Sequence, residues 1–262
     1  MKRRSHSRVG DFARLVRRTP ARLGVGRAGP RYPTTAALQF RADHARAVDA
    51  VLSEVPREWA RSKRMSELST CAPDRDSFLV NPELGRMLSD ADAERLAQRF
   101  ARAEFRPAEK SRPGSSRPLV LICVGDGLSS SAVLAGAAPL VRALTRKLRR
   151  EFRLMAPIFI RNARVRVEDH IGEIVKPDLI CLIIGERPGL ATAESLSAYI
   201  LWQPRLGSRE PDRTVVSNIH RGGLRTNQAA KRIVEVIRAA AKFRATGTGL
   251  AARLARRGPA GL

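Results

Sequence analysis

Four short stretches hold the residue types that could do chemistry. In "GERPGL" an acid and a base, Glu186 and Arg187, follow directly on an apolar run. Glu186 could act as a general acid or base, or accept hydrogen bonds from a ligand rich in N–H and O–H donors. No acid–base partner stands near it in sequence. "VGDGLSSS" sets Gly125 and Gly127 beside Ser129, Ser130 and Ser131. Glycines that let backbone approach closely, with hydroxyls and helix N-terminal amides, can cradle a phosphate. The stretch is neither GxGxxG nor a P-loop, and Asp126 would repel phosphate; a strand-to-helix turn with a serine cap accounts for the same residues. "NARVRVEDHIGE" gathers Glu168, Asp169, His170 and Glu173, a conceivable metal or acid–base set. Against that stands the ordinary use of acids in the first turn of a helix, where they suit its dipole. GxSxG is absent, and Ser195 and Ser197 have no Asp–His partners in view, so a Ser–His–Asp hydrolase is not supported. His6, His44, His170 and His220 do not fall at zinc-ligand spacing, and no metal site and no catalytic residue is assigned.

These stretches must be positioned by regular elements. "LVLICV" and "LICLIIG" are continuous apolar runs, as expected of parallel strands buried on both faces. "MAPIFI" and "RTVVSNI" read as two further strands. Between and after them "VEDHIGEIV", "NQAAKRIVEVIRAAAKF" and the segment carrying Val133, Leu140, Leu144 and Leu148 have helical spacing. Alternating strands and helices predict an α/β fold: a Rossmann-like doubly wound parallel sheet over 119–245. A helical N-terminal region precedes it, with one helix from Thr34 or Thr35 to before Pro56 and another over about 82–104. The first 14 or so residues read as a disordered basic tail within the region 1–105. The proline-rich "RPAEKSRPGSSRP" at 106–118 reads as a linker, and the Gly/Ala/Arg-rich end, 246–262, as a flexible tail. Ligands of such sheets bind at the carboxyl ends of the strands. "GDG", "RNARVRVEDH", "GER" and "SNIH" would therefore share one rim.

Composition narrows the class. A chain of 262 residues with 43% apolar content can bury a substantial core, and no apolar run reaches the ~18 residues of a membrane span. No apolar segment follows the basic start, which argues against a secretory signal and for a cytoplasmic protein. The formal charge of +24 raises nucleic-acid binding. However, Lys supplies 7 of the 49 basic residues and the arginines are scattered over the whole chain. Two Tyr and two Trp make a poor stacking surface, and no recognition-helix or zinc-finger pattern is present. The charge fits an acidic protein partner better than nucleic acid. Cys71, Cys123 and Cys181 form no CxxC, and the latter two lie in strand-like runs, where a buried structural thiol is expected.

Six blocks in order, "GRAGPRYPT", "RADHARAVDAV", "DGLSSSAV", "GEI", "IGERPGLATAESLSAY" and "SNIHRGGL", resemble the small (light) subunit of ethanolamine ammonia-lyase, over about Arg18 to Ala241. The resemblance implies a lyase that converts ethanolamine to acetaldehyde and ammonia with adenosylcobalamin. The radical chemistry, begun by homolysis of the cobalt–carbon bond, would belong to a large TIM-barrel subunit. The small subunit would help hold the corrinoid within a hetero-oligomer of several large/small pairs. The family keeps the cofactor's own base on cobalt. That agrees with the lack of DxHxxG here, where Asp169 and His170 are adjacent, and His170 is not assigned as a cobalt ligand. Carried over position by position, the corrinoid contacts fall on Val165, Glu186 and Val215. Relatives can have cysteine at the last position, so a main-chain contact there would survive the change and a thiol contact would not. Some relatives carry a longer N-terminal extension for delivery to a bacterial microcompartment, and the resemblance leaves that destination open for this chain.

Overall fold

A computed structural model describes residues 8–19, 21–102 and 117–256. The N-terminal part contains α1 (Arg8–Val16), α2 (Thr34–Leu52), α3 (Trp59–Ser62), β1 (Ser66–Ser69), α4 (Arg75–Val80) and α5 (Asp90–Arg102). There follow β2 (Leu119–Gly125) and α6 (Ser130–Ala132), which runs through a π-helical turn into α7 (Ala138–Leu148), then β3 (Arg153–Leu154) and β4 (Ile158–Arg161). The chain continues with α8 (Val167–Val175), β5 (Leu179–Gly185), β6 (Leu196–Trp202), β7 (Thr214–Ile219), α9 (Thr226–Phe243) and α10 (Gly247–Ala255).

One sheet runs in the order β1-β4-β2-β5-β6-β7, with β3 beside the start of β2. β1, β4, β2, β3 and β5 are parallel, as the apolar runs of β2 and β5 predict; every residue of those two strands is buried. The sheet is nevertheless mixed and not wholly parallel. β6 pairs antiparallel with β5, and β7 antiparallel with β6. The reason is the connection: Glu186–Ser195 contains Pro188 and Gly189 and forms no helix, so it cannot carry the chain back to the other end of the sheet as a parallel crossover must. Two reversals return β7 to the direction of β5. The ends of β4, β2, β5 and β7 therefore share the predicted rim.

Helices cover both faces. On one, Val120, Ile122, Val124, Ala198 and Ile200 pack on Leu140 and Leu144 of α7 and Ile233 and Ile237 of α9. On the other, Leu121, Cys123, Leu182 and Ile184 pack on Leu96 of α5 and Val167 and Ile171 of α8. Cys123 and Cys181 are both fully buried, as expected.

Elsewhere tertiary contacts redraw the boundaries. The helix expected over 82–104 is broken: a 3₁₀ turn at Pro82–Arg86 precedes α5. Between them the chain extends so that Cys71 N–H donates to the Met87 carbonyl and Ser89 N–H to the Ser69 carbonyl. The N-terminal region is thus not only helical, because it also contributes β1, an edge strand. α1 occupies part of the stretch expected to be disordered. The tail expected to be flexible is the helix α10 through Ala255, with Leu250 buried. Most of the predicted linker at 106–118 lies outside the described residues.

Candidate functional site

The "GDG" turn knits the rim together. Asp126 is buried and accepts from the backbone N–H of Asn162 (2.9 Å) and Ala163 (3.0 Å), fastening the end of β2 to that of β4. Arg75 stands 3.9 Å from it and donates to the carbonyls of Gly127 and Val51, each at 2.8 Å. Burial pushes the Asp126 carboxyl up, while those N–H bonds and Arg75 pull it down. Two of the three serine hydroxyls are equally committed. Ser129 accepts from Ala132 N–H as a helix cap and donates to the Ala193 carbonyl, and Ser130 donates to the Ser53 carbonyl. The glycines serve the protein's own packing. A Cβ on Gly127 (φ +57°) would meet the Gly185 carbonyl oxygen at 2.2 Å, and one on Gly185 would meet the Ser129 carbonyl oxygen at 2.3 Å. The turn is therefore the serine-capped strand-to-helix turn of the sequence reading, and its groups are not set out for a phosphate.

The acids of "VEDH" are not a catalytic pair in water. Glu168 and Asp169 are buried in the first turn of α8 and share one partner, Arg213, which immediately precedes β7. Arg213 Nε donates to Glu168 Oε1 at 2.6 Å, and Nη2 donates to Asp169 Oδ1. Burial pushes the Glu168 carboxyl up to about 8, against the pull of Arg213. Its Oε2 has no hydrogen bond among the described residues. Asp169 also pairs with Arg166 at 3.6 Å, so the Glu168 shift is not a matter of excess charge. Full burial penalises its charged form more than Arg213 offsets, and a proton at Glu168 removes that cost. Sequence reading missed Arg213, and the only signal for it is an arginine abutting a strand. The triad ties the first turn of α8 to the start of β7. His170 is structural too: its Nδ1 accepts from Leu88 N–H at 3.0 Å, and burial lowers its pKa. Among the described residues no three His, Cys, Asp or Glu side chains converge to hold a metal.

The three predicted contact residues lie on the α8 side of the sheet or at its rim. Glu186 follows β5 directly, half-buried, its backbone N–H donating to the Ser195 carbonyl at 2.9 Å. Its carboxylate forms no ion pair or hydrogen bond among the described residues, although Arg187 is adjacent. Val165, half-buried, packs on the cluster of Ile171, Leu182 and Ile184. Val215 lies on the edge strand β7, 44% exposed, directly opposite Tyr199 of β6. Tyr199 packs on the same cluster as Val165. Its hydroxyl pKa is raised first by burial and next by the charge of Glu186. Of the three positions, Val215 is the one paired directly with Tyr199. A cleft of about 680 Å³ lies elsewhere, beside β1 and α5, lined by Arg57, Arg61, Arg95 and Arg99 among others. The candidate face is an open surface beside strand ends, and Val215 lies within its edge strand, away from the very rim.

Fold and face together define an α/β protein with an open candidate binding surface next to the carboxyl ends of its central strands. Residues 10–251 match the sequence model of the family described as Ethanolamine ammonia-lyase light chain (EutC). The chain is 42% identical over 242 residues to the ethanolamine ammonia-lyase small subunit of Lachnoclostridium phytofermentans, covering 92% of this chain and 77% of that one. It is 41% identical over 234 residues to that of Clostridioides difficile (89% and 75%), and 38% identical over 240 residues to that of Clostridium perfringens (91% and 77%). The chain belongs to the ethanolamine ammonia-lyase light-chain (small-subunit) family.

Proposed function

We propose that this chain acts with a large subunit as ethanolamine ammonia-lyase, and that its α8-side face forms part of the wall that holds adenosylcobalamin. The observation that carries this reading is Glu186. In a chain of net charge +24 it is a half-buried carboxylate at a strand end with no basic partner among the described residues. The rim of a corrin carries primary amides, whose N–H groups are donors, and a free carboxylate acceptor suits them. Val165 and Val215 offer apolar contact on the same side of the sheet. Val215 has no thiol, so whatever its position contributes is backbone or methyl contact. His170 already accepts a backbone N–H at Nδ1, which accords with a cofactor that keeps its own base on cobalt.

The cofactor supplies radical chemistry when bound; the residues of this chain bind and orient it. An open face suits half of a site that another chain completes. A partner also accounts for apolar side chains left in water on α1, α2 and their connection. Phe12, Leu15, Tyr32, Leu38, Phe40 and Leu52 are each at least 47% exposed. The basic surface around them favours an acidic partner. No helix among the described residues is long and apolar enough to cross a membrane, and we place the complex in the cytoplasm, free or inside a microcompartment.

The test is reconstitution. The purified chain should show no ethanolamine lyase activity alone and should restore it to the large subunit in the presence of adenosylcobalamin. Glu186→Gln should weaken cyanocobalamin binding by the assembled enzyme about tenfold, the loss of one charged acceptor, with assembly intact. Unchanged affinity would remove Glu186 from the site.

A further inference from the structure

Strand β6 puts two polar side chains on the α8 side. Leu196, Ala198 and Ile200 face the core beneath α7 and α9, so the alternation of a strand turns Ser197, Tyr199 and Leu201 the other way. Ser197 Oγ is fully buried with no hydrogen bond among the described residues. The Tyr199 hydroxyl has none among them either. Tyr199 stands between Leu182, fully buried on β5, and Val215, 44% exposed on β7, directly opposite it in both pairings. Its ring packs on the α8-side cluster while the side chain as a whole is only half-buried. The hydroxyl is not fully buried, and no protein group among the described residues holds it, so it stays accessible to a ligand on that face.

We propose that Tyr199 is a further corrinoid-binding residue of this subunit, donating its hydroxyl to the carbonyl oxygen of a peripheral amide. This inference rests on the cobalamin reading of the face. A primary amide presents an N–H donor and a C=O acceptor. Glu186 accepts and Tyr199 donates, so the two recognise both sides of that group. Burial and the neighbouring carboxylates of Glu186 and Glu168 keep the phenol protonated, hence a donor, through the working pH range.

The experiment uses the assembled two-subunit enzyme and cyanocobalamin, with binding followed by equilibrium dialysis and the visible spectrum. Tyr199→Phe keeps the ring and removes the donor. It should raise Kd about tenfold, the factor equal to about 1.4 kcal/mol, with subunit assembly and thermal midpoint unchanged. Tyr199→Leu removes the ring as well and should weaken binding further while lowering the midpoint. A purely structural tyrosine would give the opposite pattern: Kd for Tyr199→Phe within twofold of wild type and only the Leu variant affected. That result, alongside a weakened Glu186→Gln, would overturn the role of Tyr199 and leave the face intact. If Tyr199→Phe and Glu186→Gln both bound normally, the cobalamin reading itself would fall, and the inference with it.

Discussion

The buried Glu168–Arg213–Asp169 group makes a sharp prediction about pH. Glu168 is fully buried and its carboxyl is pushed up to about 8, against a usual value of 4.5. Between those two values the folded chain holds a proton at Glu168 that the unfolded chain has released. Stability contributed by that proton is complete below the unfolded value and is lost as pH rises, by at most about 1.4 kcal/mol per pH unit, levelling off above about pH 8. Burial raises the Asp169 carboxyl as well, and the two acids titrate as a coupled pair beside Arg213, which stays charged. Glu168→Gln keeps an acceptor for Arg213 and cannot ionise, so it removes this decline. Urea unfolding of wild type and Glu168→Gln at intervals from pH 5 to 8 should show the variant gaining on wild type steadily, by up to about 4 kcal/mol across the range. That is a large share of the roughly 5–15 kcal/mol that holds a typical domain together. Two curves that stay parallel would refute the claim that Glu168 is buried with its proton on.

Two further outcomes follow from the packing. Gly127→Ala places a methyl group 2.2 Å from the Gly185 carbonyl oxygen at a φ of +57°, and should destabilise the chain by about 3 kcal/mol, read as a fall of roughly 6–12 °C in thermal midpoint. Leu38→Asp with Phe40→Asp alters two side chains of α2 that are 58% and 47% exposed. The pair should leave the stability of the isolated chain within about 1 kcal/mol while weakening association with the large subunit, measured by sedimentation.

The parts of this fold that could be read from the chain are those whose local pattern and tertiary environment agree. Leu119–Gly125 and Leu179–Gly185 are uninterrupted apolar runs, and only a strand covered on both faces satisfies such a run at that length. Val167–Val175 was legible because its acids begin a helical period that the core accepts unchanged. Glu186 could be singled out because a charge right after a buried strand must lie at a strand end. β6 escaped because Ser197 and Tyr199 give Leu196–Trp202 the look of a loop after Pro188 and Gly189. Its pairing with β5 supplies the stability that its own sequence does not advertise. α10 escaped for a similar reason. Its Gly- and Ala-rich stretch is held from outside, by Gly247 N–H donating to Thr214 Oγ1 and by Thr246 Oγ1 donating to the Asp212 carbonyl.

By itself the sequence determined the α/β class, the central strands, the shared rim and the acid at its edge, because burial and periodicity are local properties of the chain. Only the tertiary structure decided that β6 runs backwards and that the glycines of the "GDG" turn approach another rim turn instead of a phosphate. It alone brought Arg213 to two acids more than forty residues away and placed Tyr199 between Leu182 and Val215. Those relations depend on which strand lies beside which, and pairing across such separations is chosen by the free energy of the whole packed sheet, which no short window of residues contains.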